Sequence, residues 1–318
     1  MAATAFCCAS TLIALSQDTW PDRIVTMVVN FQAGSASDLL ARSLTGPLRQ
    51  ELGQPFVIEN RGGADGMIAG RDVARASPTG YTVGFGTTTA WALQMNLYPK
   101  EMGFDPRTDF APVSLLGTTH YLLIANADLG INSVAELVQL ARRSKPGYLN
   151  YSSTGEGSIS HLGMLILAKK LEIEMTHVPY KSTAQSIVDV ASGIIQLQLA
   201  SIAPTLPLYQ AGKVRILGIA GDHRSPLLPD VPTLAEQGAD THASFSQGLV
   251  FPAGTPEDIV RRLNEAVSQT LKNPKVREAF FQQGVDPRSS TPNELSQDIE
   301  AEFEDYKAIL GEFKISVH

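Results

Sequence analysis

The chain has 318 residues, enough for two lobes of ordinary size, and its 43% apolar and 18% charged composition is that of a globular protein. A net charge of −7 without any clustered Lys/Arg stripe gives no support for a nucleic-acid partner or an anionic membrane surface.

From Met1 to Gln17 there is no charged residue, and Ala, Cys, Leu, Ile and Phe dominate. The apolar run is too short to span a bilayer but suits the core of a secretory signal, with Ala14-Leu15-Ser16 as a small-x-small cleavage site. Residues 1–19 are therefore read as a signal peptide, although no Lys or Arg follows Met1. Phe6 before Cys7 argues against a lipid anchor. Both cysteines, Cys7 and Cys8, lie in this segment, so cleavage leaves no disulfide, thiolate or cysteine metal site.

Past Trp20 the pattern is strand, small-residue loop, helix. Residues 23–30 read as a buried β-branched strand, then Gln32 to Asp38 as a loop and 39–52 as a helix. A strand at 56–59, a glycine-rich turn at 60–66, a helix near 67–76 and a strand at 81–86 follow, and Thr87-Thr-Thr89 leads into another helix. The middle repeats this with strands at 121–125, 149–152 and 175–178 and helices at 133–143, 161–170 and 183–192. Glu136 is placed for a capping box after Ser133. Two more strands are expected at 194–199 and 214–219, one at 247–251, and helices near 256–272, 274–283 and 292–311.

Such alternation predicts an α/β protein with parallel sheets covered by helices. Ligands of open α/β sheets sit beyond the carboxyl ends of the strands, and the small-residue loops at 32–38, 86–89 and 152–160 all occupy that place. Loops of this kind present backbone N–H groups and hydroxyls, which suits holding an anion.

Conventional catalytic motifs are missing. There is no Gly-x-Ser-x-Gly elbow, and Gly62 to Gly66 lacks the spacing and lysine of a phosphate loop. The hydroxyl-plus-histidine cluster Ser158-Ile-Ser-His161 keeps a hydrolase reading open as an alternative, without an evident orienting acid. The six histidines form no metal-ligand spacing, and no cofactor or metal is expected. A regulator's effector lobe would need a helix-turn-helix, for which no room is seen before Trp20. Asp38 reads as a helix cap or a ligand contact, and Trp91 as core or as a cleft-side ring that stacks on an aromatic acid.

A series of motifs in register carries a resemblance: Phe31-Gln-Ala-Gly-Ser-Ala-Ser-Asp38, Glu59-Asn-Arg-Gly-Gly-Ala-Asp-Gly66, Phe110-Ala-Pro-Val-Ser114, His177-Val-Pro-Tyr-Lys181, Leu228-Pro-Asp-Val-Pro-Thr233 and Pro252-Ala-Gly-Thr-Pro256. From about Trp20 to the C-terminus the chain resembles the Bug-type solute receptors of tripartite tricarboxylate transporters. The resemblance implies a two-lobed periplasmic-binding-protein architecture (Venus flytrap, type II-like) with the ligand cleft between lobes. Lobe 1 is expected at 20–118 plus 244–318 and lobe 2 at 119–243.

It further implies a monomeric, non-enzymatic periplasmic receptor that binds a small organic acid and delivers it to a membrane permease of two subunits. The alternative is an orphan receptor or sensor for a non-carboxylate or aromatic ligand. Carried onto this chain, the family's contacts fall on Phe31, Gly34, Ser35, Ala36, Ser37 and Asp38, on Thr87, Thr88 and Thr89, and on Ser153, Thr154, Gly155, Ser158 and His161. Ala200 and Ser201 complete the set. Departures from the family pattern stand at Gln32-Ala33-Gly34-Ser35, Trp91, Glu156, Gln196, Ala200 and Ser246-Gln247, so the ligand class does not transfer.

Overall fold

The computed structural model describes residues 20–180, 183–221, 223–241 and 243–313. The expected signal segment, with Cys7 and Cys8, lies outside the described residues.

The first unit starts with β1 (Val25–Val29), α1 (Ala36–Leu52), β2 (Phe56–Asn60), α2 (Met67–Ala74) and β3 (Thr82–Thr87). Strands β2-β1-β3 are parallel neighbours, and β1 is a β-branched run buried along almost its whole length. Leu40, Leu44 and Leu48 recur every four residues on α1, and all three are fully buried against this sheet. Next come α3 (Thr88–Leu97) and the short α4 (Pro99–Met102). Every residue of α3 from Thr88 to Gln94 is buried, so this helix carries no solvent face in its first two turns.

The 17-residue β4 (Phe110–Asn126) joins the two units. After it come α5 (Val134–Arg143), β5 (Asn150–Ser153), α6 (Ile159–Leu171), β6 (Thr176–Pro179), α7 (Thr183–Ala191), β7 (Leu197–Ser201), α8 (Ile202–Gln210) and β8 (Val214–Ala220). The chain returns through β9 (Ser244–Pro252), then α9 (Glu257–Thr270), α10 (Pro274–Gln282), β10 (Val285–Pro287) and α11 (Pro292–Phe313). Residues Phe110 to His120 of β4 pair antiparallel with β9, whereas Tyr121 to Asn126 pair with β7 and β8. The strand order is β2-β1-β3-β9-β4-β7-β5-β6, with β8 and β10 also on β4. One long strand thus serves two sheets, each with its own apolar core.

Several expectations change. The strand expected at 121–125 is only the second half of β4; Pro112 and two register shifts against β9 hide its first half from a period-2 reading. The strand expected at 194–199 begins at Leu197 and runs to Ser201. Helix α8 was not foreseen, because Pro204 and Pro207 read as breakers. At α5, Ser133 Oγ accepts from the Glu136 N–H at 3.2 Å, while the Glu136 carboxylate reaches the Asn132 N–H at 2.6 Å, one residue earlier than a capping box places it.

Candidate functional site

A cavity of about 690 Å³ opens where the two sheets meet. Its first-unit wall is Phe31 with Gly34 to Ser37, then Thr87, Ala90, Leu93 and Gln94 at the start of α3. The crossing strands add Thr119 and Tyr121 from β4 and Phe245 and Gln247 from β9, and Gln283 and Val285 close that side. The second unit contributes Thr154 and Ile159 near α6, Ala184 on α7, Leu199 and Ser201 of β7, and Ala203 and Pro204 on α8.

Helix openings dominate this lining. The first turns of α1, α3, α6, α7 and α8 each place a residue on the cavity wall. A helix start carries N–H groups without intrahelical partners and the positive end of the backbone dipole. At α1 and α6 serine caps take up part of this: Ser35 Oγ accepts from the Asp38 N–H and Ser158 Oγ from the His161 N–H, both at 3.2 Å. At α3 and α8 the residues in that position, Thr87 and Ser201, make no side-chain cap. Those two openings, one from each unit, keep all their first-turn N–H groups free of a side-chain cap.

Among the described residues, none that lines the cavity is Asp, Glu, Lys, Arg or His. Three polar atoms on this wall are buried and have no hydrogen-bond partner: Thr87 Oγ1, Thr119 Oγ1 and Gln247 Oε1. Leaving such a group unsatisfied costs about 1–3 kcal/mol.

Of the residues expected from the sequence, the structure brings Phe31, Gly34, Ser35, Ala36, Ser37, Thr87, Thr154 and Ser201 onto the cavity. The others do not line it. Asp38 is buried behind the first loop, where its carboxylate accepts from the Gly34 N–H at 2.8 Å, Arg42 at 2.9 Å and Asn60 at 3.0 Å. Burial pushes its pKa up, but these donors outweigh that and hold the carboxyl below its usual range. It braces the loop from Gly34, whose φ of 82° favours glycine, to its own position.

Thr88 donates to the Ser246 carbonyl at 3.3 Å. Thr89 donates to Glu302 at 2.6 Å and accepts from the Ser246 N–H at 2.9 Å, so both threonines are committed to structure. Ala200 is fully buried in the apolar core beside α7 and α8.

Ser153, Gly155, Ser158 and His161 form the scaffold under the α6 opening. Ser153 Oγ shares a hydrogen bond with His177 Nε2 at 2.7 Å and accepts from the Gly155 N–H at 3.1 Å. His161 Nδ1 accepts from the Gly157 N–H at 3.2 Å, and its ring stacks on His177 with centroids 4.0 Å apart. Burial and the neighbouring His177 lower its pKa to about 4, so it is neutral near pH 7. Ser158 Oγ meets the backbone N–H of His161, which makes it a helix cap; that geometry does not resemble a nucleophile paired with a base. Among the described residues no group of three or more His, Cys, Asp or Glu is arranged to hold a metal.

Trp91 is core. It is 1% exposed, packs against Phe104 and Phe110, and donates to the Gly66 carbonyl at 3.3 Å. Stacking of this ring on a ligand is thereby overturned. Glu156 is exposed on its loop. The residues that sequence reasoning missed include four on the crossing strands, at Thr119 and Tyr121 and at Phe245 and Gln247. Each pair is spaced by two, the signal of one strand face.

A family model described as "Tripartite tricarboxylate transporter family receptor" matches residues 40–315. Protein BugT of Bordetella pertussis is 30% identical over 300 residues, covering 94% of this chain and 91% of that protein. The structure of MatC from Rhodopseudomonas palustris with bound malate is 34% identical, with a TM-score of 0.77 over 92% of this chain and all of that one. Another R. palustris structure, with adipate, is also 34% identical, with a TM-score of 0.81 over 93% and 99%.

Proposed function

The chain belongs to the tripartite tricarboxylate transporter receptor family, and we propose that it binds a small organic acid between its two units for delivery to a two-subunit membrane permease. Its α/β architecture is that of the two-lobed periplasmic binding proteins, and its family is one of solute receptors. The observation that carries the ligand reading is the convergence of five helix openings, from both units, on a cavity whose described lining residues carry no charged side chain. An anion held by backbone N–H dipoles needs no arginine, and the sum of several helix starts replaces a counter-ion. The malate and adipate held by the two relatives are ligands of this chemistry.

The contacts we assign are Ser35 to Ser37 and Thr87 in the first lobe, and Thr154 with Ser201 and Ala203 in the second. Lobe boundaries at 20–118 plus 244–318 and 119–243 agree with β4 changing sheets after His120 and β9 starting at Ser244. Because both lobes touch one ligand, binding draws them together by a hinge at the crossing strands, and the closed form is what a permease reads. Export to the periplasm and action as a monomer complete the reading, which involves binding without turnover.

A melting screen against small carboxylates and their neutral amides tests it. A ligand at 100 times its dissociation constant adds about 2.7 kcal/mol of stability. Stabilisation by carboxylates and not by amides is the expected result; no response to any acid refutes the proposal.

A further inference from the structure

We infer, resting on the receptor reading above, that the preferred ligand is an acid with one carboxylate and, at its far end, a hydroxyl rather than a second carboxylate. The inference starts from Thr87, Gln247 and Thr119. In the antiparallel pairing of β3 with β9, Thr87 stands directly opposite Gln247. Gln247 stands opposite Gly117 of β4, and Thr119 lies two residues further along that strand. Residues two apart in a strand share a face, so the three side chains form one strip across three adjacent strands. They are 3%, 1% and 2% exposed, all line the cavity, and each has an unsatisfied polar atom.

The chemistry of the strip decides between guests. Gln247 Oε1 only accepts a hydrogen bond, whereas the two threonine hydroxyls donate or accept. A carboxylate also only accepts, so against Oε1 it sets two acceptors together with no proton between them. A hydroxyl donates to Oε1 and accepts from a threonine, and so satisfies the strip. A further negative charge is also badly placed there, because the Glu302 carboxyl lies behind the strip, bonded to Thr89. An ammonium end is disfavoured in turn by the positive dipole end of α3, which opens at Thr87. The single carboxylate then belongs to the openings of α1, α6 and α8 across the cavity.

Calorimetric titration of the purified protein with hexanoate, adipate, 6-hydroxyhexanoate and 6-aminohexanoate, and with the four-carbon equivalents, tests this. The hydroxy acid is expected to bind at least about tenfold tighter than the diacid and the unsubstituted acid of the same length, since a site built to bond a hydroxyl rejects analogues lacking it. That advantage is expected to fall to about twofold or less in Gln247→Leu and in Thr119→Val, each measured where the melting transition is retained. A diacid that binds as well as the hydroxy acid, or an amino acid that binds best, overturns the inference and leaves the receptor reading standing. Binding of none of these acids overturns both. If Gln247→Leu does not fold, the ranking on the unaltered protein and the Thr119→Val variant still decide the question.

Discussion

The Thr89 hydroxyl donates to Glu302 Oε1 at 2.6 Å across a sequence separation of 213 residues, tying the last helix to the opening of α3. Ser246 of β9 donates its N–H to the same threonine oxygen at 2.9 Å, which leaves the threonine proton to Glu302. Three elements, α3, β9 and α11, therefore meet at one buried carboxyl directly behind the ligand cavity.

That carboxyl gives a pH prediction. Burial pushes Glu302 up to about 7, with Asp298 adding to the rise and the Thr89, Ser246 and Thr88 hydroxyls opposing it. A carboxyl whose pKa is raised on folding binds more protons in the native state. Its contribution is thus complete below about pH 4.5 and is lost as pH rises to about 7. Glu302→Gln mimics the protonated form, and it is expected to remove this loss and to raise stability at pH 8 by on the order of 1–2 kcal/mol. Denaturant unfolding at pH 5 and pH 8 reads the difference. Carboxylate affinity of the unaltered protein is expected to weaken across the same window, because ionised Glu302 adds a negative charge behind the cavity that repels a bound anion, and Glu302→Gln is expected to flatten that profile.

The histidine pair acts in the opposite sense. His161 is lowered to about 4 by burial and by His177, and His177 is itself lowered by burial. Unfolding lets both take up protons near pH 6.5, so stability is full above that value and falls as pH drops towards 4. The expected loss by pH 5 is on the order of 1 kcal/mol after screening. His161→Asn keeps an acceptor for the Gly157 N–H and is expected to reduce this acid sensitivity, measured as the shift in unfolding midpoint between pH 7.5 and 5.

Asp38 holds three donors from the first ligand loop and its surroundings. Asp38→Ala is expected to cost about 1–3 kcal/mol of stability and to weaken ligand binding through a loosened Gly34–Ser37 loop. Asp38→Asn keeps one acceptor oxygen and is expected to cost less. Comparing melting temperature with ligand affinity for the two variants checks the order.

Gly86 marks the tightest packing near the site. A Cβ there meets the Trp91 ring at 2.0 Å, and the ring cannot yield, being wedged against Phe104 and Phe110. Gly86→Ala is expected to destabilise by about 1–3 kcal/mol through overpacking, whereas Trp91→His leaves a cavity and is expected to cost about 3–5 kcal/mol. Equilibrium unfolding of both variants measures this.

Much of this molecule is legible in its sequence, because β-branched runs, small-residue loops and capped helices are local signals. The loops at 32–38, 86–89 and 152–160 all reach the cavity, through Gly34 to Ser37, Thr87 and Thr154. The long crossing strands were not legible in the same way. Pro112 and the register shifts of β4 interrupt the alternation that marks Thr119 and Tyr121 as one face. Nor does spacing distinguish Thr87, whose hydroxyl has no partner among the described residues, from Thr88 and Thr89, whose hydroxyls go to Ser246 and Glu302. That distinction depends on α11, more than 200 residues away in the chain.

The central claim is that helix openings hold the carboxylate of an organic acid. Calorimetric titration of each acid against its own amide tests it most directly: adipate with adipamide, and 6-hydroxyhexanoate with 6-hydroxyhexanamide, on the unaltered protein and on Ser201→Asp. The account predicts that the better acid binds at least about 100-fold tighter than its amide, and that a carboxylate placed at the α8 opening abolishes binding by like-charge repulsion. Equal affinity for acid and amide, or undiminished acid binding by a folded Ser201→Asp protein, would contradict it.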